Sequence, residues 1–487
     1  MNAERLLAHY EEIAEAPDAV ARLRRFVVDI AVRGAIVAHD PVEKPDPELL
    51  ARLGQPSASS EGSPRGWLRA RVGDLLDFQY GKGLKASDRE DAGPIPVYGS
   101  NGVVGFTSVP LTRQPSIIVG RKGSAGALNL CTVPSWTTDV AYFIEVPSYF
   151  DFNYLFHALT ALDLGTLGKG VKPGLSRSDA YALVLAVPPV GEQRRIVAKI
   201  DELMALCDEL EAARTAREAA RDRLAAASLA RLNTPNPGTF QADARFALDA
   251  LPALTARPGQ IAQLRNTILS LAVRGGLSGN PAWSRQAVRL GDFASLQNGY
   301  AFKSEWFSKS GTRLVRNANV GHGSLNWSDE VRLPDTMIHE FERFRLNEGD
   351  IVLSLDRPFI VSGTKVARVA KEDLPALLLQ RVGRFVLSKE LDASYLFLWI
   401  NSPHFSAQID PGRSNGVPHI SSKQVETAEI YLPPPAEQRR IAAEVERLMT
   451  ICDELEASLT AADSTRRKLL EALLAEALSE PAIAKAA

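Results

Sequence analysis

The sequence predicts a protein of mixed α and β structure (α+β) made of two similar halves, each of which ends in a long helix. Three observations lead to this prediction. A segment of twenty-five residues occurs twice, each copy is typical of a helix start, and a region of short β-branched and aromatic runs precedes each copy. The copies, residues 188–212 and 433–457, share sixteen residues at a spacing of 245 positions. The chain is therefore an internal duplication.

Each copy begins with prolines followed by Glu-Gln-Arg-Arg-Ile. Proline fixes φ and cannot continue an incoming element, so we predict that the helix begins just after the prolines. Glu192 and Glu437 then lie in the first turn, where the helix dipole favours an anion.

The apolar residues of both copies step by four and three, which is the a/d pattern of a coiled coil. In the second copy they are Ile441, Val445, Leu448, Cys452, Leu455, Leu459 and Ala462. In the first copy they are Ile196, Ile200, Leu203, Cys207 and Leu210, and arginines at 214, 217 and 221 interrupt the pattern. A helix of about 60 Å with one apolar stripe needs a partner, and we expect the other copy to be that partner.

Composition changes along the chain predict five segments. Residues 1–66 are a helical segment followed by a Pro-, Ser- and Gly-rich flexible tether, and residues 67–187 form a globular domain. Residues 188–282 contain the first long helix, a loop and a short helix. Residues 283–432 form a second globular domain, and residues 433–487 form the last long helix.

The globular domains open and end alike, but their middles share little sequence. An Asn-Gly dipeptide predicts a hairpin over 94–106, and the apolar run 116–120 predicts a buried strand. In the second domain we expect a strand over 349–354. Apolar runs at 154–159 and 395–400 are expected to be helices.

Bulk composition excludes several classes of protein. No apolar run approaches the roughly 20 residues that span a bilayer, and no signal peptide is visible, so we expect a cytoplasmic protein with no membrane contact. Three cysteines cannot form a disulfide framework, and Cys207 and Cys452 are expected to be small buried hydrophobic residues. Seven histidines show no ligand-like spacing, so no metal site is predicted. Nucleotide-binding, zinc-protease and hydrolase motifs are absent, so we predict no catalytic residue.

Both globular domains carry cationic and amide side chains on glycine-rich segments, where a ligand can approach the backbone closely. Arginine suits guanine edges, asparagine suits adenine, and lysine and serine suit phosphates. Each domain nevertheless has a net charge of only +1, so ordinary solvated charge also explains any single segment. The candidate DNA-binding residues are Lys82, Lys85, Arg121, Lys122, Ser124, Lys169, Lys172, Arg177, Arg313, Arg316, Asn317, Asn319, Arg357, Arg381, Arg413, Asn415 and Lys423.

The sequence as a whole resembles the specificity subunit of a type I restriction-modification enzyme, and the resemblance covers nearly the whole chain. It depends on the two Pro-Pro-x-x-Glu-Gln-Arg-Arg-Ile helix starts and on the Ala-Val-Arg-Gly ends of two short helices. The segment Arg121–Lys122–Gly123–Ser124 and the steps Leu175–Ser176 and Ile420–Ser421 add to it.

The resemblance implies that each globular domain is a target-recognition domain that reads one half of a split sequence in double-stranded DNA. It implies that the two long helices pair antiparallel as a spacer and dock two methyltransferase (M) subunits, with restriction or motor (R) subunits as further partners. The chain would need no cofactor, while the methyltransferase would hold S-adenosylmethionine and the motor subunit ATP and Mg. The docking candidates are Glu192, Gln193, Arg194, Arg195, Glu437, Gln438, Arg439 and Arg440.

Two other functions fit the sequence. A free-standing DNA-modifying enzyme with an unrecognised site would methylate or cut DNA without a partner. A structural coiled-coil adaptor would bind proteins and would lack the salt-dependent DNA binding expected of a specificity subunit.

Overall fold

The computed structural model describes residues 13–54, 66–170, 173–233, 245–246, 255–278, 283, 286–414 and 417–479. The chain divides into two compact units. Unit 1 comprises residues up to Ala216 together with those from Ala462 onward, and unit 2 comprises Arg217–Ala461.

Two helices are far longer than the others. In chain order the α-helices are α1 (Ala19–Val32), α2 (Pro47–Leu53), α3 (Val72–Leu75), α4 (Phe152–Ala161), α5 (Arg177–Ala182), α6 (Val190–Asn233), α7 (Pro258–Val273), α8 (Ala393–Ile400), α9 (Pro403–Ser406), α10 (Ser422–Thr427) and α11 (Pro435–Ser479). The helices α6 and α11 have 44 and 45 residues, which confirms the two predicted long helices. The last proline of the second copy is the first residue of α11, where a missing N–H costs nothing because that group has no partner within the helix.

Unit 1 contains a four-stranded antiparallel sheet, a three-stranded sheet and a strand pair. Its strands are β1 (Leu68–Arg71), β2 (Gln79–Tyr80), β3 (Ile95–Gly99), β4 (Gly102–Thr107), β5 (Ser116–Gly120), β6 (Leu128–Cys131), β7 (Trp136–Thr137), β8 (Ala141–Glu145) and β9 (Val184–Val187). The larger sheet has the order β2-β8-β5-β6, and the smaller has the order β4-β3-β7 with β3 and β7 parallel. The antiparallel pair β1-β9 brings the start of the domain to its end, directly before α6.

Unit 2 repeats this topology with different sequence. Its strands are β10 (Val288–Arg289), β11 (Ala294–Asn298), β12 (Thr312–Val315), β13 (Arg332–Leu333), β14 (Ile351–Ser354), β15 (Phe359–Ile360), β16 (Gly363–Thr364), β17 (Val366–Arg368), β18 (Ala376–Leu378), β19 (Val382–Leu387), β20 (Gly412–Ser414), β21 (Val417–His419) and β22 (Glu429–Ile430). The sheets have the orders β11-β19-β14-β17 and β13-β12-β18, and β10 pairs with β22. The strand pairs β15-β16 and β20-β21 have no counterpart among the strands described in unit 1.

The predicted elements of the globular domains are confirmed. The hairpin around Asn101–Gly102 is β3-β4, and β5 is buried at every position because both of its faces are covered. The strand predicted over 349–354 is β14, and the apolar runs form α4 and α8.

The predicted N-terminal helical segment is present, whereas the prediction of a flexible tether was wrong over residues 47–53. The helical segment is interrupted at Pro17, which lacks an N–H, and α1 ends at Val32 before the left-handed Gly34. The tether contains a helix, α2, because Asp46 accepts a hydrogen bond from the Glu48 N–H as the N-cap and Leu49 is buried in the core of unit 1. Residues 1–12 and 55–65 lie outside the described part of the chain.

The coiled-coil pattern faces the interior of each unit over its first turns. Ile196 and Ile200 share a core with Tyr154 of α4 and Val27 of α1. In unit 2, Ile441, Val445 and Cys452 share a core with α7 and α8. Over these turns the apolar stripe is therefore covered by its own globular domain and short helix. Full burial of each such side chain contributes about 1.5–3 kcal/mol.

The short helices are held to the long helices by the same ion pairs in both units. Arg24 of α1 pairs with Asp208 at 2.5 Å and Glu211 at 2.7 Å. In unit 2, Arg265 of α7 pairs with Asp453 and Glu456 at the same two distances. The acidic partners are 245 positions apart, so the duplication extends to individual contacts.

The seam cysteines are buried, as predicted. Cys207 is 8% exposed and Cys452 is 1% exposed, and burial raises the pKa of both thiols. None of the described helices is long and apolar enough to cross a membrane.

Candidate nucleic-acid interface

A buried glutamine joins each globular domain to its long helix. The Gln193 Nε2 donates to the carbonyl oxygens of Tyr149 and Pro188 at 2.9 Å, and its Oε1 accepts from the Asp151 N–H at 2.7 Å. Gln438 makes the same three contacts with the carbonyl oxygens of Glu390 and Pro433 and the N–H of Asp392, each at 2.7 Å. We call this arrangement the glutamine latch. Asp151 and Asp392 also cap α4 and α8, so each latch fixes a domain helix to the start of a long helix.

The neighbouring glutamates are both held by hydrogen bonds, but only Glu192 is buried. Glu192 has no exposed surface, accepts a hydrogen bond from Trp67 Nε1 at 3.1 Å, and lies 3.0 Å from His39 Nδ1. Glu437 accepts from the Ser278 hydroxyl at 2.5 Å and from Arg440 at 2.8 Å. These hydrogen bonds lower the pKa of Glu437 to about 2, the bond from Arg440 having the larger effect.

The predicted docking set is therefore divided by the structure. Glu192, Gln193 and Gln438 are enclosed, and a side chain without exposed surface does not fit a contact with a partner subunit. The reason is that the two glutamine amides use their donors and acceptors on buried backbone groups, so these atoms are not available to a partner subunit. All four arginines of the set are exposed, and Arg195 forms a bidentate pair with Glu43. Of the predicted docking residues, Arg194, Arg195, Arg439 and Arg440 therefore remain the exposed candidates.

Three glycine-rich segments that the sequence singled out come together in unit 1. The Leu175 N–H donates to the Arg121 carbonyl at 2.8 Å, and Lys122 and Lys169 both form backbone bridges to Gly174. Gly81 lies against the carbonyl oxygens of Thr137 and Thr138 so closely that a Cβ would overlap them. The candidates Lys82, Lys85, Lys122 and Lys169 are all exposed, and Lys169 pairs with Asp179. Ser124 lies at the β5-β6 turn, and Lys172 lies outside the described residues.

Two arginines of this cluster stack on one tyrosine. The guanidinium carbons of Arg121 and Arg177 lie 5.0 Å and 5.2 Å from the ring centre of Tyr80, which is 48% exposed. Arg121 also reaches Tyr142, and Arg177 also reaches Tyr181. Cation–π contacts of this kind are worth about 0.5–2 kcal/mol each, and they hold the planar guanidinium groups beside an exposed aromatic face. We call these residues the tyrosine–arginine cluster.

Several candidates in unit 2 have structural roles instead. Asn319 is 1% exposed and donates to the carbonyls of Asn326 and Asp329, so it does not fit a direct contact with DNA. Arg316 pairs with Asp329 at 2.9 Å. Arg313 stacks on Trp327 at 5.0 Å and donates to the Glu372 carbonyl. A side chain that is already engaged in internal contacts has to break them before it can use the same groups to bind a ligand.

Two further candidates of unit 2, Arg357 and Arg381, lie near a histidine. His419 Nδ1 lies 2.7 Å from Asp356 Oδ1, and Arg381 NH1 lies 3.3 Å from the same imidazole. Arg357 and Arg381 are two of three non-glycine residues with positive φ in the described part of the chain, at +47° and +70°. Such strain concentrates at functional sites. We call Asp356, Arg357, Arg381 and His419 the histidine cluster.

Four other candidates of unit 2 lie outside the histidine cluster. Lys423 is exposed on α10, and Asn317 offers its carbonyl to the Lys365 ammonium. Arg413 lies on β20, but its side chain and the whole of Asn415 are outside the described part of the structure.

The two clusters lie at corresponding strand ends of their respective four-stranded sheets. In unit 1, Tyr80 ends β2, Arg121 follows β5 and Arg177 begins α5. In unit 2, Asn298 ends β11, Asp356 and Arg357 follow β14, and Ser422 begins α10. The Ser422 hydroxyl donates to Asn298 Oδ1 at 2.7 Å, so these two elements also meet in unit 2. One scaffold position thus carries two different sets of polar side chains.

Sequence reasoning missed Tyr80, Asp356 and His419. Tyr80 stands directly before Gly81 in a lysine-rich segment, and an aromatic residue in that position was a usable signal. The partnership of Asp356 with His419 spans 63 residues, and no local pattern indicates it. No group of three or more potential metal ligands occurs among the residues that the structure describes.

Comparison with known proteins places these features in a family. A family model for the type I restriction modification DNA specificity domain matches residues 64–217 and 285–462, which is more than half of the chain. The chain is 36% identical over 340 residues to the type I restriction enzyme EcoAI specificity subunit of Escherichia coli, covering 60% of this chain and 57% of the relative. It is 28% identical over 191 residues to the MjaVIII specificity subunit of Methanocaldococcus jannaschii, covering 39% and 45%. The matches thus span about half the length of these two relatives.

A solved structure extends the likeness to the fold. A chain from a study of complex assembly and conformational transition of the type I R-M system is 17% identical, and the match covers 85% of this chain and 98% of that one. The TM-score of 0.51 indicates a shared fold. With two matched specificity domains on a duplicated scaffold, this chain belongs to the type I restriction modification DNA specificity family.

Proposed function

We propose that this chain is the DNA sequence-specificity subunit of a type I restriction-modification system and that it recognises a bipartite target. One observation carries the proposal. Two domains whose four-stranded and three-stranded sheets share one topology present different side chains at the corresponding strand ends, a tyrosine with two arginines in unit 1 and the histidine cluster in unit 2. A duplicated scaffold with divergent contact residues suits the reading of two different half-sites.

The chemistry of both clusters suits DNA. Exposed lysines around the tyrosine–arginine cluster are suited to phosphates, which position a protein without specifying sequence. Arg121, Arg177, Arg357 and Arg381 are held by neighbouring rings or by a constrained backbone, and an oriented guanidinium can make a bidentate contact with guanine. Because each globular domain has a net charge near zero, we expect specificity to come from a few placed groups.

The reaction itself belongs to partner subunits in this proposal. A methyltransferase subunit would hold S-adenosylmethionine, and a motor or nuclease subunit would use ATP and Mg, so this chain would take no part in bond breaking. Exposed residues that recur at the same register of both long helices are the best docking candidates. Arg194 and Arg439 recur in this way, and so do Leu206 and Ile451, which are 53% and 40% exposed. A repeated surface suits two copies of one partner.

The long helices would act as the spacer between half-sites. Unit 1 contains the beginning of α6 and the end of α11, and unit 2 contains the end of α6 and the beginning of α11. The unit boundaries, after Ala216 and after Ala461, are 245 positions apart and so fall at the same register. This arrangement supports the antiparallel pairing that the family resemblance implies.

Coexpression with the neighbouring methyltransferase, followed by genome-wide mapping of methylated adenine, tests the proposal. We expect one bipartite motif that disappears when this chain is omitted. Methylation that does not depend on this chain would contradict the proposal. Methylation or cleavage by the purified chain alone would instead favour a free-standing enzyme.

A further inference from the structure

The hairpin β15-β16 of unit 2 exposes apolar side chains at its tip. Val361 is fully exposed and is the most exposed large hydrophobic residue in the described part of the chain, while Ile360 is 43% exposed. Phe359, at the base, faces the core and lies 6.4 Å from the Phe405 ring. Water contact with an isolated valine and isoleucine is unfavourable, so a ligand that covers them would gain free energy.

The base of this hairpin is fixed, so the tip is held in place before any ligand arrives. The buried Thr364 hydroxyl donates to the Ile400 carbonyl at 3.1 Å, and the Lys365 N–H donates to the Pro358 carbonyl at 2.7 Å. Gly363 has a φ of +130°, and a Cβ there would overlap the His322 ring. A rigid base lowers the ordering cost of a contact made by the tip.

The surroundings of the tip are cationic and polar. Arg357 lies three residues before Ile360, and its N–H donates to the Pro418 carbonyl at 2.8 Å, which ties it to β21. The histidine cluster therefore borders the start of the hairpin. Guanidinium groups beside a small apolar tip match the outside of a DNA groove, where phosphates flank base edges.

The size of the tip favours a base over a protein surface. A stable protein interface buries roughly 800 Å² on each partner, far more than two aliphatic side chains can supply. The major groove admits a two-stranded β-ribbon, and thymine presents an apolar 5-methyl group there. No other base edge in that groove offers such a methyl group.

We propose that Ile360 and Val361 contact the 5-methyl group of a thymine in the half-site read by unit 2. The inference rests on the proposed function and assigns part of its specificity to residues that carry no charge. Since one methyl group is involved, the expected contribution is about fourfold in affinity.

The test uses the complex of the full chain with its methyltransferase partner and duplexes that contain the mapped motif. Each thymine of the motif is replaced in turn by deoxyuridine, which removes only the 5-methyl group. Dissociation constants are measured at one fixed salt concentration for the unmodified chain, for Val361→Ala and for the control Val42→Ala, an exposed valine in unit 1.

We expect deoxyuridine at one thymine of one half-site to weaken binding about fourfold for the unmodified chain and for Val361→Ala to weaken binding of the unmodified motif by a similar factor. For Val361→Ala the same base change should then have no further effect, whereas Val42→Ala should behave like the unmodified chain. Loss of methyl sensitivity on mutation of Val361 is the supporting result.

Two outcomes would overturn the inference: no sensitivity to deoxyuridine at any thymine of the motif, or a sensitivity that Val361→Ala leaves unchanged. In each case a bipartite motif would still uphold the specificity function. The absence of any motif would instead refute the proposed function itself. Because Val361 is fully exposed, Val361→Ala should leave the thermal unfolding midpoint unchanged, so a binding loss would not reflect misfolding.

Discussion

At the scale of single residues, Gln193 and Gln438 determine where each globular domain lies on its long helix. Each side-chain amide forms hydrogen bonds with two backbone carbonyls and one backbone N–H beside the start of the long helix. An apolar replacement would leave all three backbone groups without partners, and each unmet buried group costs about 1–3 kcal/mol. The glutamine latch is therefore a structural reason for the repeated Glu-Gln pair.

We predict that Gln438→Leu destabilises unit 2 by about 3 kcal/mol. The measurement is unfolding in urea, monitored by fluorescence. The urea concentration at the midpoint of the first unfolding transition is compared between variants. Arg439→Leu is the control, because that neighbouring side chain is exposed and its replacement should change stability by less than about 0.5 kcal/mol. Equal midpoints for the two variants would mean that the latch contributes nothing.

Tyr80 supports two arginines at once, so its ring matters more than its hydroxyl. We predict that Tyr80→Ala weakens DNA binding by about tenfold and relaxes only the half-site read by unit 1, since Arg121 and Arg177 lose their common platform. Tyr80→Phe keeps the ring and should retain the wild-type motif. Methylation mapping reads out both variants, and a relaxed second half-site would argue against this role.

Glu437 gives the start of α11 a dependence on pH. Its pKa is about 2 in the folded protein and 4.5 as the ordinary value, because Arg440 and Ser278 hydrogen-bond to the carboxylate. A lowered pKa means that the carboxylate stabilises the fold above pH 4.5 and that this contribution disappears as the pH falls towards 2. We predict that Glu437→Gln has a shallower loss of stability across that window than the unmodified chain. Thermal unfolding at stepped pH checks this, with the exposed Glu454→Gln expected to follow the unmodified chain.

At the scale of elements, the sequence predicted the elements that occur in both halves and those that depend on a few neighbouring residues. Proline pairs, heptads and an Asn-Gly turn act over a few residues, so the long helices, β3-β4 and β5 could be read from them. The shared sheet topology could not be predicted, because β2, β7 and β13 have only two residues each and their pairing is non-local. The two clusters could not be predicted for the same reason, since Tyr80 contacts Arg177, which lies 97 residues later in the chain.

The long helices carry a second repeated feature, an exposed aliphatic residue one position before each seam cysteine. We predict that Leu206→Asp and Ile451→Asp each remove binding of one methyltransferase copy, because a charge cannot be buried at an apolar contact without a large penalty. Analytical ultracentrifugation should show one bound copy for either variant and none for the double variant. Leu224→Asp is the control, because Leu224 is exposed whereas Leu469, at the same register of α11, is partly buried against a core cluster. Loss of binding in this control would mean that the effect is nonspecific.

At the scale of the whole molecule, duplication explains why the two halves differ in the way they do. Scaffold contacts recur to within tenths of an ångström, as in the ion pairs of Arg24 and Arg265, because both halves must hold a domain on a helix. The residues at the sheet edges have diverged, because the topology tolerates any side chains that leave the core and the latch intact. The side chains at these strand ends can therefore change without refolding the scaffold.

If the long helices set the distance between half-sites, their length should set the gap in the motif. Deleting seven residues around each unit boundary, 214–220 and 459–465, preserves the heptad register in both helices and removes about 10 Å of each. We predict a gap shorter by about three base pairs, given about 3.4 Å per base pair, with both half-sites unchanged. Deleting only one of the two segments should abolish methylation, because the helices would no longer match in length. Methylated-adenine mapping gives the gap directly, and a gap of unchanged length in the double deletion would mean that the helices do not measure the site.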